Sequence, residues 1–305
     1  MSTVVVTGGA GFVGSHVAEL LRDRGHDVTV IDDLSSGKRE NVPDGCRLVE
    51  LDITDAAGVR RAVDGAAFVC HLAAQASVTV SVKEPARDLA INVAGTMNVC
   101  DAAAATGAPV VFASTGGALY GDNAPIPTPE TSPTEPLAPY GASKLAGEAY
   151  VGTWSRLHGL GNVVLRLGNV YGPRQNFEGE AGVVAIFSHC LLNGQPPTVY
   201  GDGKQTRDYV YVGDVARAFL LAGESERAGT YNVGTGTETS VLALLDSLER
   251  SAGVAAERRF EPLRKGELRA SALDSARIRD ELGWEPAVGL DEGLAQTFAW
   301  YRNAA

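Results

Sequence analysis

Cysteine is scarce and poorly spaced for chemistry. The four thiols, at positions 46, 70, 100 and 190, form no CxxC pair and have no histidine companion at metal-ligand distance. That spacing argues against a disulfide framework or a zinc site and for reduced, mostly buried cysteines. The histidines His16, His26, His71, His158 and His189 form no cluster, so no metal and no catalytic imidazole is expected. Long apolar runs are missing too, none approaching the roughly 18 residues of a membrane span. Met1-Ser2-Thr3 runs straight into Val4-Val5-Val6-Thr7-Gly8, without the basic head and long apolar stretch of a secretion signal. A cytoplasmic protein off the membrane is the expectation. Positive charge is also short: 26 Lys and Arg stand against 37 Asp and Glu, a formal charge of −11. Most of such a surface repels nucleic acid and anionic lipid, so an anionic ligand has to meet a local basic cluster.

What remains is an ordinary globular composition, 45% hydrophobic and 21% charged over 305 residues. It is enough to bury roughly three quarters of the unfolded surface in a large core, with or without an attached lobe. Short β-rich runs alternate with helical patterns. Val4 to Val6, Val28 to Ile31, Arg47 to Leu51, Ala67 to Cys70, Val110 to Ala113 and Val163 to Leu167 read as strands. Helical patterns fall around His16 to Arg24, Ala56 to Val63, Val82 to Ala105 and Tyr140 to His158. Nearly continuous apolar strands separated by helices predict an α/β fold, a doubly wound parallel sheet of the Rossmann type, with a smaller C-terminal α/β lobe. The expected division is 1–170 for the nucleotide half and 171–305 mainly for the second lobe, with 210–233 returning to the main sheet. Six of the fourteen prolines lie from Pro125 to Pro139. They predict an extended surface loop that delivers the chain to Tyr140.

Thr7-Gly8-Gly9-Ala10-Gly11-Phe12-Val13-Gly14 stands between the first strand and the first helix. Glycines there permit a tight turn and let backbone N–H groups approach a pyrophosphate at the helix N-terminus. Asp32 follows 18 residues after Gly14. A carboxylate at the end of the second strand accepts bonds from both ribose hydroxyls and repels a 2′-phosphate. Asp32 beside Asp33 therefore favours NAD over NADP, while Lys38 and Arg39 soften that preference unless they simply face solvent. Asp52-Ile53 reads equally as an adenine contact or as a turn.

Tyr140-Gly141-Ala142-Ser143-Lys144 sets a phenol and an ammonium four residues apart, on one helix face. A nearby ammonium favours the phenolate, and a nicotinamide cation lowers the phenol further. Both are needed before a group that ionises near pH ~10 can act as a base near neutrality.

Thr7 to Gly14, Ser114-Thr115-Gly116-Gly117-Ala118-Leu119-Tyr120-Gly121 and Tyr140 to Lys144 together resemble the extended short-chain dehydrogenase/reductases. Asn169 to Arg174 and Gly201 to Tyr209 narrow the resemblance to nucleotide-sugar enzymes, most closely the UDP-glucose 4-epimerases. The similarity spans essentially the whole chain. It implies NAD as cofactor, a UDP-sugar as substrate and a homodimer formed through the helices near Val82 to Ala105 and Tyr140 to His158.

The resemblance also assigns residues. Tyr140 takes the proton of the sugar 4-hydroxyl, Lys144 binds the nicotinamide ribose, and Thr115 holds the 4-oxygen and relays the proton, with Ser114 as a competitor. Many members carry that hydroxyl four residues before the tyrosine matching Tyr120, where this chain has Gly116. The cofactor set is Gly8, Gly11, Phe12, Val13, Gly14, Asp32, Asp33, Asp52, Ile53, Leu72, Ala73, Ala74 and Asn92, with Tyr140 and Lys144. Arg207, Arg264 and Asn169 are assigned to the diphosphate, Glu267 to the ribose, Thr198 and Tyr200 to the uracil. Ser271, a small residue at the position that limits the sugar substituent, suggests room for an N-acetyl group. Dehydratases of the superfamily follow the threonine with an Asp-Glu pair, and glucuronate decarboxylases carry a glutamate in the same loop. Gly116-Gly117 supplies neither, which favours epimerisation at C4. The competing readings are a UDP-glucuronate 4-epimerase, another nucleotide-sugar oxidoreductase or dehydratase, and a catalytically silent NAD-binding regulator.

Overall fold

The computed structural model describes residues 2–177, 182–263 and 268–304. The chain opens β1 (Thr3–Thr7), α1 (Phe12–Asp23), β2 (Asp27–Asp32), β3 (Arg47–Glu50), α2 (Ala56–Val63) and β4 (Phe68–His71). Then come α3 (Val78–Lys83), α4 (Pro85–Leu89), one π-helical stretch (Ala90–Gly95), α5 (Thr96–Thr106), β5 (Val110–Thr115) and α6 (Pro139–His158). The remainder is β6 (Val163–Leu167), β7 (Asn169–Tyr171), α7 (Val183–Leu192), β8 (Thr198–Tyr200), β9 (Thr206–Arg207), β10 (Tyr209–Tyr211) and α8 (Val212–Gly223), followed by β11 (Gly229–Val233) and β12 (Thr239–Ser240). The chain closes with α9 (Val241–Ala252), β13 (Arg259–Glu261), α10 (Ala276–Leu282) and α11 (Leu290–Ala304).

Seven of the strands form one sheet in the order β11-β6-β5-β4-β1-β2-β3, every neighbour parallel. Both faces are covered, as the unbroken apolar strands require. Val4, Val6, Val28, Val30, Cys70, Val111 and Leu165 point to the layer of α1 and α8, whereas Val5, Ile31, Val69, Phe112 and Val164 point to that of α2, α5 and α6. Each such side chain, fully buried, contributes about 1.5–3 kcal/mol. The strand order reverses between β1 and β4, and the crevice at their C-terminal ends is where this fold binds ligands.

Outside the sheet, three two-stranded pairs (β10 with β7, β12 with β9, β13 with β8) and the helices α7, α9 and α11 enclose a separate core around Phe187, Leu244, Leu248 and Phe298. The chain passes back and forth: β10 pairs with β7 rather than with the main sheet, α8 packs on that sheet against α1, and β11 forms its edge.

Two expectations take a more definite form. The stretch from Val82 to Ala105, expected as one or two long helices, breaks at Glu84 (φ −130°, ψ 59°), because Pro85 disfavours a helical residue before it and itself starts α4. The proline-rich stretch is an extended surface loop pinned at Thr128. Thr128 pairs with Leu273, donates its N–H to Ala272 O at 2.8 Å and accepts from Asp274 N at 2.9 Å.

Candidate functional site

The glycine loop closes tightly over the switch point. Gly8 adopts φ +71°, and a β-carbon there would lie 2.6 Å from Ala73 N and 2.8 Å from the Leu72 carbonyl carbon. A β-carbon at Gly14 would lie 2.1 Å from Gly8 O, so α1 starts directly against the loop. No side chain caps α1 at Gly11, leaving the first-turn N–H groups of Phe12, Val13 and Gly14 for an anion. Beneath the loop, His71 is fully buried between two hydroxyls, Thr7 Oγ1 at 2.7 Å from Nδ1 and Thr96 Oγ1 at 3.0 Å from Nε2. Thr96 spends its own proton on Asn92 O at 2.7 Å, so Nε2 carries the histidine proton and Nδ1 accepts from Thr7. Burial drives the pKa of His71 down to about 3 and keeps the ring neutral.

Asp32 ends β2 with its carboxylate in the loop: Oδ2 accepts Ala10 N at 3.0 Å and Oδ1 accepts Leu34 N at 2.9 Å. It is 7% exposed, and burial raises its pKa. Asp33 is exposed and accepts from Ser35. Lys38 faces solvent and Arg39 is held by Glu50 at 2.7 Å, so Arg39 is committed elsewhere than to a 2′-phosphate. Asp52 accepts Thr54 N at 2.8 Å as a turn residue, and buried Ile53 packs where a β-carbon on Gly95 would stand. These features fit NAD: a narrow cradle, free amides for a pyrophosphate, and an adjacent carboxylate for a ribose.

Tyr140 and Lys144 occupy the first turns of α6. Tyr140 N donates to Ser81 Oγ at 3.0 Å, and Ser143 Oγ donates to Tyr140 O at 3.0 Å. Lys144 Nζ donates to Ala113 O at 2.9 Å and sits 4.7 Å from the Phe112 ring centroid, 3% exposed. Burial lowers the Lys144 pKa to about 8 against the opposing charges of Asp88 and Glu148. Burial, then the charge of Asp88, pushes Tyr140 up to about 12. The ammonium one turn away does not by itself make the phenol acidic here, because desolvating the phenolate costs more than that neighbour returns.

At the end of β5 the two candidate hydroxyls part company. Ser114 Oγ donates to Glu148 Oε1 at 2.5 Å and is 3% exposed. Glu148 is paired with Arg166, whose NH2 reaches Oε2 at 2.6 Å. Arg166 also donates to Tyr120 Oη at 2.8 Å, and Tyr120 donates to Asn232 Oδ1 at 2.8 Å. The Thr115 side chain, by contrast, makes no hydrogen bond among the described residues. Gly116 lies against the second lobe, where a β-carbon would come 2.5 Å from Leu273 Cδ1. Gly117 leaves room for Asn169, whose Oδ1 would lie 3.6 Å from a β-carbon there.

Asp208 ties these segments together. Its oxygens accept from Thr235 N (2.8 Å), Thr235 Oγ1 (2.6 Å), Gly236 N (3.1 Å) and Leu273 N (3.0 Å), while its carbonyl accepts Asn169 N at 2.8 Å. Ser271 stands two residues before Leu273. Arg207 lies on β9, half-buried, with Nη1 donating to Thr206 O at 2.7 Å. Thr198 and Tyr200 stand on β8, also half-buried, alongside β13. Arg264 and Glu267 lie outside the described residues.

A sequence pattern of the NAD dependent epimerase/dehydratase family matches residues 4–234. The chain belongs to this family. Among the family's members, the UDP-glucose 4-epimerase of Mycolicibacterium smegmatis is 44% identical over 98% of each chain. The Thermotoga maritima UDP-glucose 4-epimerase, solved with UDP-glucose, superposes with a TM-score of 0.96 at 45% identity over 99% of each chain. The Thermus thermophilus UDP-glucose 4-epimerase in complex with NAD gives 0.93 at 46% identity, covering 99% of this chain and 100% of that one. As in this NAD-dependent family, the glycine cradle and Asp32 stand at the switch point of a seven-stranded Rossmann-type sheet.

The sequence alone singled out none of Gln75, Asp88, Glu148, Arg166 and Asp208, and assigned His71 no role. One signal was present: Tyr140, Lys144 and Glu148 recur every fourth residue and so share a helix face with the site. The others are brought in from segments distant in the chain.

Proposed function

We propose that the protein is a UDP-hexose 4-epimerase that inverts C4 through a transient 4-keto sugar while NAD stays bound. The observation that carries this reading is the meeting of Tyr140 and Lys144 with a β5 loop that holds a free Thr115 hydroxyl and no carboxylate at Gly116 or Gly117. NAD, held by the glycine loop, Asp32 and Lys144, would supply a reversible acceptor for the C4 hydride and, when oxidised, a positive charge that favours the phenolate. Burial and Asp88 hold Tyr140 up at about 12, so the phenol depends on added positive charge to act as a base. Tyr140 then removes the 4-hydroxyl proton and later gives it back. Lys144, anchored on Ala113 O, keeps its remaining protons for the nicotinamide ribose. Thr115 holds the 4-oxygen and passes the proton. The bond of Ser114 to Glu148 supports Thr115 over Ser114 for that task, and argues against Ser114 as a partner for a uronic carboxylate.

The substrate half of the proposal joins Asn169 beside Gly117 with Arg207 on the diphosphate, Thr198 and Tyr200 on the uracil, and Ser271 beside the sugar substituent. A neutral UDP-hexose fits this set, with an N-acetylated one admitted by the small Ser271. Residues 1–170 with 210–233 form the nucleotide half and the rest of 171–305 the sugar half. A cytoplasmic location belongs to the same reading, supported by four cysteines without a disulfide among them. So does a homodimer, supported by the exposed Val82, Leu89 and Leu157 on the helices the family uses for subunit contact.

Proton NMR of UDP-galactose incubated with the protein, no cofactor added, tests the activity. The expected result is UDP-glucose; no interconversion of neutral, N-acetylated or uronic UDP-sugars overturns it. Loss of water or net reduction of free NAD would assign a dehydratase or oxidoreductase instead.

A further inference from the structure

Asp88 has no task in the chemistry above, yet its carboxyl is buried to 1% exposure on α4. Its Oδ1 accepts from Gln75 Nε2 at 2.9 Å and from Asn92 Nδ2 at 3.0 Å. Asn92 stands in the π-helical stretch, a widened turn of the kind found at functional sites. Its amide group reaches Gln75 O at 2.9 Å and Ser143 Oγ at 3.1 Å. Ser143 in turn donates to Tyr140 O, and the other backbone group of Tyr140 is held by Ser81. The chain Asp88–Asn92–Ser143 therefore ends on the backbone from which the phenol projects.

A buried carboxylate is costly unless hydrogen bonds and a counter-charge offset it. Gln75 and Asn92 provide the first. The titratable groups its charge acts on are Tyr140 and Lys144 of α6, with Glu148 one turn further along; the neutral His71 of β4 lies on the Lys144 side. Lys83, Glu84 and Arg87, near it in the chain, are exposed. Lys144 is thus the cation that its charge meets.

We propose that Asp88 is a positioning residue for the Tyr140–Lys144 pair. Through Asn92 and Ser143 it fixes the phenol's backbone, and through its charge it sets the pH window in which phenol and ammonium work together. The inference rests on the epimerase reading for the roles of those two residues. The charge of Asp88 raises both Tyr140 and Lys144. Its removal therefore moves both titrations to lower pH. With Lys144 already brought to about 8 by burial, the upper limb then falls toward neutrality.

The test is Asp88→Asn in the NAD-loaded enzyme, since asparagine keeps the acceptor toward Gln75 and Asn92 and deletes the charge. Both limbs of the kcat–pH profile for UDP-galactose should move to lower pH by about one unit, with KM changed less than about twofold. In 13C NMR of ring-labelled tyrosine the Tyr140 titration should move the same way. Asp88→Glu, which keeps the charge, should restore the wild-type limbs. A lower kcat with unmoved limbs and an unmoved Tyr140 titration overturns the proposal. Should Asp88→Asn not fold, Asp88→Ser carries the same titrations, and failure of both neutral variants to fold assigns Asp88 to stability alone and overturns it as well. Absence of wild-type epimerisation defeats the functional reading instead, and the NMR titration still decides the role of Asp88.

Discussion

Ser114 donates its hydroxyl proton to Glu148 at 2.5 Å, while Thr115, one residue on and on the opposite side of the same strand end, keeps its hydroxyl free of any partner among the described residues. Adjacent strand residues face opposite ways, so one hydroxyl is tied into the fold and the other is left available for the proposed contact to the sugar 4-oxygen. Thr115→Val should lower kcat at least about tenfold, the scale of a lost transition-state hydrogen bond, with an unchanged melting temperature. Ser114→Ala should do the reverse, costing about 1.5–3 kcal/mol of stability while kcat stays within a few-fold. Steady-state kinetics beside thermal melts separate the two, and a silent Thr115→Val would remove that residue from the proton path.

Tyr140→Phe removes the proposed base and leaves the ring packing intact. Turnover should fall roughly 10²-fold or more, with NAD still carried through purification. Retention of full activity would take the phenol out of the mechanism.

The Glu148–Arg166 pair is buried and shared with Ser114 and Tyr120. Replacing Glu148 by Gln leaves the guanidinium facing a neutral group, at an expected cost of about 3–5 kcal/mol. Urea unfolding should register this as a lower midpoint with an unchanged slope.

Gly8→Ala places a β-carbon on a left-handed residue 2.6 Å from a backbone nitrogen that cannot yield. The expected outcome is protein that no longer retains NAD, measured as nucleotide released on denaturation. Gly116→Ser meets only the flexible end of Leu273. It should cost about 1–3 kcal/mol, and pairing it with Leu273→Ala should recover part of that loss.

His16 and His71 are neutral in the folded protein, with pKa values lowered to about 4 and about 3, burial being the main cause in each. A histidine whose folded value lies below its unfolded value of about 6.5 stabilises fully above that pH and loses the contribution as pH falls. Stability should therefore decline from pH ~6.5 down to about 4 for His16 and about 3 for His71. For His16, which bonds Pro173 O at 2.9 Å, the loss is on the order of 3 kcal/mol. Denaturant titrations across this range should show a shallower decline in His16→Gln.

The alternation of apolar strands and helices, the glycine loop, Asp32 and the four-residue spacing of Tyr140 and Lys144 were legible in the chain by itself. All are local: a strand period, a turn that demands glycine, one helical turn between two side chains. The family followed from several such motifs in order. What no local pattern carries is which buried polar groups meet. Asp88 reaches the tyrosine through Asn92 and Ser143, 51 positions apart in the chain. Asp208 binds Asn169, Thr235 and Leu273 into one rim. That Ser114 is bonded and Thr115 is not depended on Glu148, a helix and a loop away. Desolvation belongs to this second group, since it sets the titration of Tyr140 and Lys144 only once every layer around them has packed. The order of residues determined the backbone path and the chemical parts; tertiary packing decided their partners and their charge, because hydrogen bonding and dielectric are properties of neighbours in space.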